Sequence, residues 1–186
     1  MGMQAKVPML STHGMLSLIE NADHRLMRRV NRWSAPRWIR LWMICATRGG
    51  DGWLWYALGA ALLTFGGKPG ALAVGQATAA AACGVGLFLR LKKMTARRRP
   101  CALEAHCWAR LLPPDQFSFP SGHTITAFAA AVPVTAQFPE AAVGVWFCAI
   151  SIAISRIILG MHFFSDVVAG ATLGWALGAA ARGLIG

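Results

Sequence analysis

Residues 155–166 read S-R-I-I-L-G-M-H-F-F-S-D. The stretch is apolar enough to lie in a bilayer, yet it carries Arg156, His162 and Asp166. Ionisable groups at that depth are costly and usually line a cavity or do chemistry. Two further clusters have the same character, K-K-M-T-A-R-R-R-P at 92–100 and F-P-S-G-H at 119–123. Together they offer Lys92, Arg99 and Arg156 as cations, with Ser121 and nearby backbone N–H groups at a helix start, where anions bind well. They also offer His123, His162 and Asp166. Three cations and a helix N-terminus suit a dianion, while two imidazoles and a carboxylate suit nucleophilic and proton-transfer chemistry. Phosphoryl transfer needs both.

The elements that must gather these groups are apolar runs. The chain has 186 residues, of which 56% are hydrophobic and only 13% charged, and its mean hydropathy is +0.49. Five runs emerge: Trp53–Phe65, Ala71–Leu91, Thr124–Phe138 with a kink expected at Pro133, Ala141–Leu159 and Val167–Ala181. Ser165 and Asp166 are placed to cap the last of them. Backbone groups in lipid must be satisfied within each segment, so the runs predict helices. The fold class is therefore all-α: an integral membrane bundle of about five transmembrane helices. Because the chain folds back between spans, alternate ends share a side. Lys92, His123, Arg156 and Asp166 all fall at such ends, so topology alone draws them into one layer.

Ahead of the bundle, residues 17–33 space Leu18, Ile19, Ala22, Leu26, Val30 and Trp33 at helical intervals opposite a basic face. That pattern fits an amphipathic helix lying on a membrane surface. Residues 36–47 suggest a second. The expected division is a basic surface segment at 1–50 and a transmembrane domain at 51–186. Residues 1–35 hold no apolar stretch of signal-peptide length. Trp38, Trp42, Trp53 and Trp55 suit an interfacial belt.

The formal net charge is +11. Without a stacking-aromatic motif, and with arginines flanking apolar runs, nucleic acid is not the expected partner; anionic lipid headgroups are. Sixteen of the eighteen lysines and arginines fall on the side of the three clusters, leaving Lys68 and Arg182 opposite. The positive-inside rule then favours a cytoplasmic site in a multi-pass protein of the inner (plasma) membrane. Cys101 and Cys107 share a polar loop and could pair in an oxidising compartment.

The three clusters resemble the signature of the type-2 phosphatidic acid phosphatase family, membrane lipid phosphatases related to vanadium haloperoxidases and glucose-6-phosphatase. The family pattern is K-x6-R-P, P-S-G-H and S-R-x5-H-x3-D. Here Lys92 leads to Arg99-Pro100, then Pro120-Ser121-Gly122-His123, then Ser155-Arg156 with His162 and Asp166. The resemblance covers about residues 50–180. It implies His162 as the nucleophile that forms a phosphohistidine, Asp166 as its orienting carboxylate, and His123 as general acid and then base. It implies Lys92, Arg99, Arg156, Ser121 and Gly122 as phosphate ligands, with no metal and no cofactor. The implied substrate is a membrane lipid phosphate: phosphatidic acid, phosphatidylglycerophosphate, a phosphorylated lipid A, or an isoprenyl phosphate or diphosphate such as undecaprenyl diphosphate. Two other readings stay open, a phosphotransferase using the same intermediate and a non-enzymatic lipid-binding protein. Within the pattern, Ser155 reads as a packing residue; Arg97 and Arg98 read as a solvated or headgroup-facing charge run, and His13, His24 and His106 as surface residues.

Overall fold

A computed structural model describes residues 12–104 and 115–185, with the side chains of residues 12, 13 and 15 outside the description. The described chain is helical: α1 Thr12–Asn31, α2 Arg37–Arg48, α3 Leu54–Phe65, α4 Gly67–Thr95, α5 Pro100–Leu103, α6 Gly122–Gln137, α7 Ala142–Ile158 and α8 Phe164–Ile185. One antiparallel bridge pairs Arg98 with Phe117. His106 and Cys107 lie outside the described residues.

The five apolar runs become α3, α4, α6, α7 and α8. Three helical stretches are long and apolar enough to cross a bilayer: Gly67–Thr95, Pro139–Ile158 and Phe164–Ile185. The other two are shorter, 12 residues for α3 and 16 for α6. At 1.5 Å per residue they reach only about 18 and 24 Å, against a hydrocarbon core of about 30 Å. For α6 the shortfall has a physical reason. It lies at the centre of the bundle, packed by α4, α7 and α8, and buries Thr124, Ile125, Ala127 and Ala129 through Val134.

Close packing onto α6 depends on Gly170, Gly174 and Gly178, one turn apart on α8. A Cβ on Gly174 would stand 2.4 Å from the Ile125 carbonyl oxygen, and one on Gly170 would stand 2.8 Å from that of Ser121. Small residues at such spacing let backbones approach where no hydrophobic force drives helices together. The helix runs through Pro133, which has no N–H for the Ala129 carbonyl. Gly178 packs against that same carbonyl, where a Cβ would come within 2.9 Å.

Large apolar side chains cover the outside, among them Phe65, Val143, Phe147, Trp175 and Leu184, the face a bilayer would solvate. Trp38 and Trp53 are exposed, as an interfacial belt requires. Trp55 departs from that expectation, because it is partly buried and packs against the core of Ala73, Ala131 and Ile152. At the rim where α7 ends, α2 seats Ile39, Met43 and Ile44 on Ile158, Leu159 and Met161.

Candidate active site

The ends of α4, α6, α7 and α8 meet at one rim, as the topology predicts, and the backbone ties them together. The Ser121 N–H at the start of α6 donates to the Asp166 carbonyl in α8 at 3.1 Å. After α7 the chain turns tightly around the Arg156 carbonyl, which accepts from both the Met161 and the His162 N–H at 3.0 Å. Gly160 takes a φ of +67° within that turn, a conformation that favours glycine. His162 is thus carried on a short rigid turn rather than on a helix.

His162 is buried. Its Nδ1 lies 2.6 Å from the Ser118 carbonyl oxygen, which can only accept, so this nitrogen holds the proton. Its Nε2 lies 3.2 Å from Arg99 Nη1, which can only donate, so this nitrogen presents its lone pair. Two independent neighbours therefore select the same tautomer. Burial pushes the imidazole down to about 3, helped by the nearby Arg156 and Arg99 and opposed by Asp166. The ring is neutral at ordinary pH.

The Asp166 carboxylate sits 3.8 Å from His162 Nδ1, beyond hydrogen-bond reach; the Ser118 carbonyl accepts the Nδ1–H hydrogen bond instead. Asp166 Oδ2 instead accepts from the Phe163 N–H at 2.8 Å. It therefore sits one turn inside α8 and reaches back to the residue before the helix, in the manner of a capping-box acid. Its Oδ1 accepts from Arg97 Nη1 at 2.6 Å.

Arg97 is the largest departure from the sequence reading. It is not part of a solvated charge run. Besides Asp166 it donates to Ser165 Oγ at 2.8 Å and to Asp23 Oδ2 at 2.7 Å, and its guanidinium lies 4.2 Å from the Phe163 ring centre. Asp23, buried on α1, also accepts from the Ser165 N–H at 3.0 Å. Burial acts to lower the Arg97 pKa, and the two carboxylates more than reverse it. Its neighbour Arg98 is exposed.

Lys92, Arg99 and Arg156 line one cavity of about 640 Å³ with Gly122, His123 and His162. Arg156 donates through Nη1 to Thr47 Oγ1. Its Nε is buried with no hydrogen-bond partner among the described residues. Ser121 departs from the expected phosphate-binding set. It is fully buried, its hydroxyl pairs with Thr124 Oγ1 at 2.8 Å, and its N–H is already used by Asp166. It does not line the cavity. Ser155 bonds the Ile152 carbonyl at 2.6 Å, a packing role as expected.

Two carboxylates that the sequence reading passed over face the cavity. Asp51 accepts from His123 Nε2 at 2.8 Å. It sits on the wide turn Gly49–Trp53 between α2 and α3, where Gly52 takes a φ of +118°. Asp115 meets Lys92 Nζ at 2.5 Å and Arg99 Nη2 at 2.9 Å. Burial acts to raise Asp115, and hydrogen bonds from Lys92 and Arg99 outweigh it, holding the carboxyl below its usual range. Alternate-end topology could have placed Asp51 on this rim, because it opens the first run. Asp115 stood in a loop with no pattern to single it out.

From this polar end the cavity continues as an apolar cleft between α3 and α4, over α6. Leu58, Gly59 and Leu62 line one wall, and Val74, Ala81 and Phe88 the other. Between Val74 and Lys92 it follows eighteen residue steps of α4, about 27 Å at 1.5 Å per step.

Comparison with known proteins fits this arrangement. The lipid A 1-phosphatase of Rhizobium etli is 40% identical over 57 residues, which cover 31% of this chain and 25% of that protein. The lipid A 1-phosphatase of Rhizobium johnstonii is likewise 40% identical over 57 residues, 31% of this chain and 23% of that protein. The match thus spans about a quarter of these curated relatives. Among solved structures, Aquifex aeolicus LpxE superposes with a TM-score of 0.73 at 25% identity, covering 86% of this chain and 94% of that one. The transmembrane PAP2-type phosphatidylglycerolphosphate phosphatase of Bacillus subtilis superposes with a TM-score of 0.68 at 24% identity, covering 89% and 85%. The family model described as the PAP2 superfamily matches residues 70–185, the stretch that supplies all three cations and both histidines of the cavity, and the chain belongs to that superfamily.

Proposed function

We propose that this protein is a membrane phosphatase that removes phosphate from a lipid phosphomonoester or diphosphate through a phosphohistidine at His162. The observation that carries the reading is the convergence of Lys92, Arg99, Arg156, His123 and His162 on one cavity that runs on into an apolar cleft. The cations offer a dianion its counter-charges, and arginine's planar fork suits phosphate oxygens. Arg156 Nε, with no hydrogen-bond partner among the described residues, is a donor suited to one of those oxygens.

In the first step the His162 Nε2 lone pair attacks phosphorus and the bond from phosphorus to the lipid oxygen breaks. Protonated His123 gives its proton to that leaving oxygen. Asp51 holds the His123 ring through Nε2. In the second step, now-neutral His123 takes a proton from water, whose oxygen attacks phosphorus and breaks the P–N bond. Inorganic phosphate leaves and His162 returns to its neutral form. The Ser118 carbonyl keeps the Nδ1 proton in place, and Asp166, fully buried nearby, stabilises the positive charge on the phosphorylated ring. No metal is needed in this scheme, because side chains supply the positive charge.

The cleft suits one or more hydrocarbon chains of a lipid whose phosphate lies at the rim. Phosphatidic acid, phosphatidylglycerophosphate, isoprenyl phosphates or diphosphates such as undecaprenyl diphosphate, and phosphorylated lipid A are the candidates, and the relatives' names make the second and last the first to try. The basic bias of the site side favours a cytoplasmic rim in the inner membrane, where α1 would rest on anionic headgroups. The test is phosphate release in detergent, without added metal, across that panel of lipids. His162→Ala should abolish turnover, and His123→Ala should cost about 10²–10⁴ in rate. Labelled water should appear in the phosphate released; its absence points to a phosphotransferase. Undiminished turnover in His162→Ala would remove the nucleophile assignment.

A further inference from the structure

Asp115 bridges two cations of the cavity. Its carboxylate Oδ2 lies 2.5 Å from Lys92 Nζ and its Oδ1 lies 2.9 Å from Arg99 Nη2. A bidentate oxyanion between the same donors would take the same positions. We infer that Asp115 is a built-in competitor anion, whose carboxylate holds Lys92 and Arg99 until a dianionic phosphate displaces it, so that the site accepts monoesters and terminal phosphates but rejects monoanionic diester headgroups. The inference rests on the reading of Lys92 and Arg99 as phosphate ligands.

The argument is electrostatic. A cavity with three cations, set at the headgroup layer, faces an excess of phosphodiester lipids. A monoanionic diester entering it exchanges one negative charge for another and gains nothing from the cations. A dianion brings a second charge and a third oxygen, and the gain is large where the dielectric is low. Displacement needs no movement of the backbone. The Asp115 carbonyl oxygen is held separately by Arg99 Nε at 2.9 Å, so rotation of the side chain alone clears the two donors. The side chain is already 37% exposed.

The competing explanation is a turn. Asp115 Oδ1 also accepts from the Phe117 N–H at 3.0 Å, two residues on. Asparagine keeps that acceptor and loses the charge, so Asp115→Asn separates the two roles. The experiment uses the full chain in detergent. Binding of inorganic phosphate is measured by calorimetry, and mixed micelles containing phosphatidylglycerol, an anionic diester, serve as competitor. Asp115→Asn should bind phosphate roughly tenfold to a hundredfold more tightly, the range expected from loss of a charge-assisted contact. Phosphatidylglycerol should compete with phosphate in the variant and not in the parent. Equal or weaker phosphate binding in Asp115→Asn, or no new competition by the diester, overturns the inference. Arg99→Met is the companion measurement. If it loses phosphate binding while Asp115→Asn behaves as the parent, the competitor role alone fails. If it binds phosphate as well as the parent, the phosphate-ligand reading beneath it fails too.

Discussion

Arg97→Met is the substitution that most directly tests how the surroundings of His162, the proposed nucleophile, are held. The guanidinium joins two carboxylates that are almost wholly out of solvent, Asp166 at 0% and Asp23 at 3% side-chain exposure. Its contacts to them are 2.6 and 2.7 Å. Methionine preserves most of the apolar stem and removes every donor, leaving two buried negative charges unpaired and close together. Breaking a buried pair from one side costs about 3–5 kcal/mol. At roughly 2–4 °C per kcal/mol for a chain of this size, the midpoint should fall by about 6–20 °C. The assay is thermal unfolding in detergent followed by tryptophan fluorescence, with lipid phosphate release measured below the transition. Turnover should fall as well, because Asp166 and the start of α8 lose their anchor beside His162. Arg97→Lys should recover part of the stability, since one ammonium cannot span Asp23, Ser165 and Asp166 together. Arg98→Met, on the exposed neighbour, should lie within about 0.5 kcal/mol of the parent. An Arg97→Met protein that melts and turns over like the parent would refute the reasoning, and Arg97 would return to the solvated charge run.

Two further outcomes follow from the geometry. Gly174→Val should prevent folding, because even a Cβ there meets the Ile125 carbonyl oxygen at 2.4 Å and Phe128 Cβ at 2.9 Å; Gly183→Val, where nothing lies within 4 Å, should express normally. The second concerns pH. His162 is pushed down to about 3, so below 6.5 the unfolded chain binds a proton that the folded site refuses. Stability from this group is complete above about pH 6.5 and is lost as pH falls toward 3. Melting midpoints measured across that range should drop less steeply in His162→Gln than in the parent, and equal slopes would show that the buried imidazole is not the cause.

The residues of the three clusters were legible because their spacing is a pattern, and their convergence was legible because helices that reverse direction leave alternate ends on one side. The same argument could have reached Asp51. It could not have reached Asp23, Ser118 or Asp115. Single polar residues in a surface helix or a loop have no period, and the partners that tie them to the site lie 16 to 142 positions away along the chain. Arg97, Arg98 and Arg99 show the limit most plainly. Three identical side chains in succession are partly buried, exposed and buried, because a bridge to Phe117 fixes the chain here and turns successive residues opposite ways. Composition is blind to that alternation. The glycines of α8 were readable at intervals of four, but only the packing shows which helix they admit. Ser121 misled for the opposite reason, since a serine at a helix start has polar groups to offer and here its N–H and hydroxyl are both engaged by neighbouring protein groups.

The cleft between α3 and α4 has a consequence for how catalysis by such a molecule is measured. A ligand that keeps its hydrocarbon inside the sheet of lipid while its head is processed searches in two dimensions. Its abundance is then a mole fraction among neighbouring lipids, and diluting the sample with buffer changes nothing. Diluting it with inert amphiphile slows the reaction. On the proposed reading the two products would part company at the rim, the phosphate ion into water and the dephosphorylated lipid back into its own leaflet.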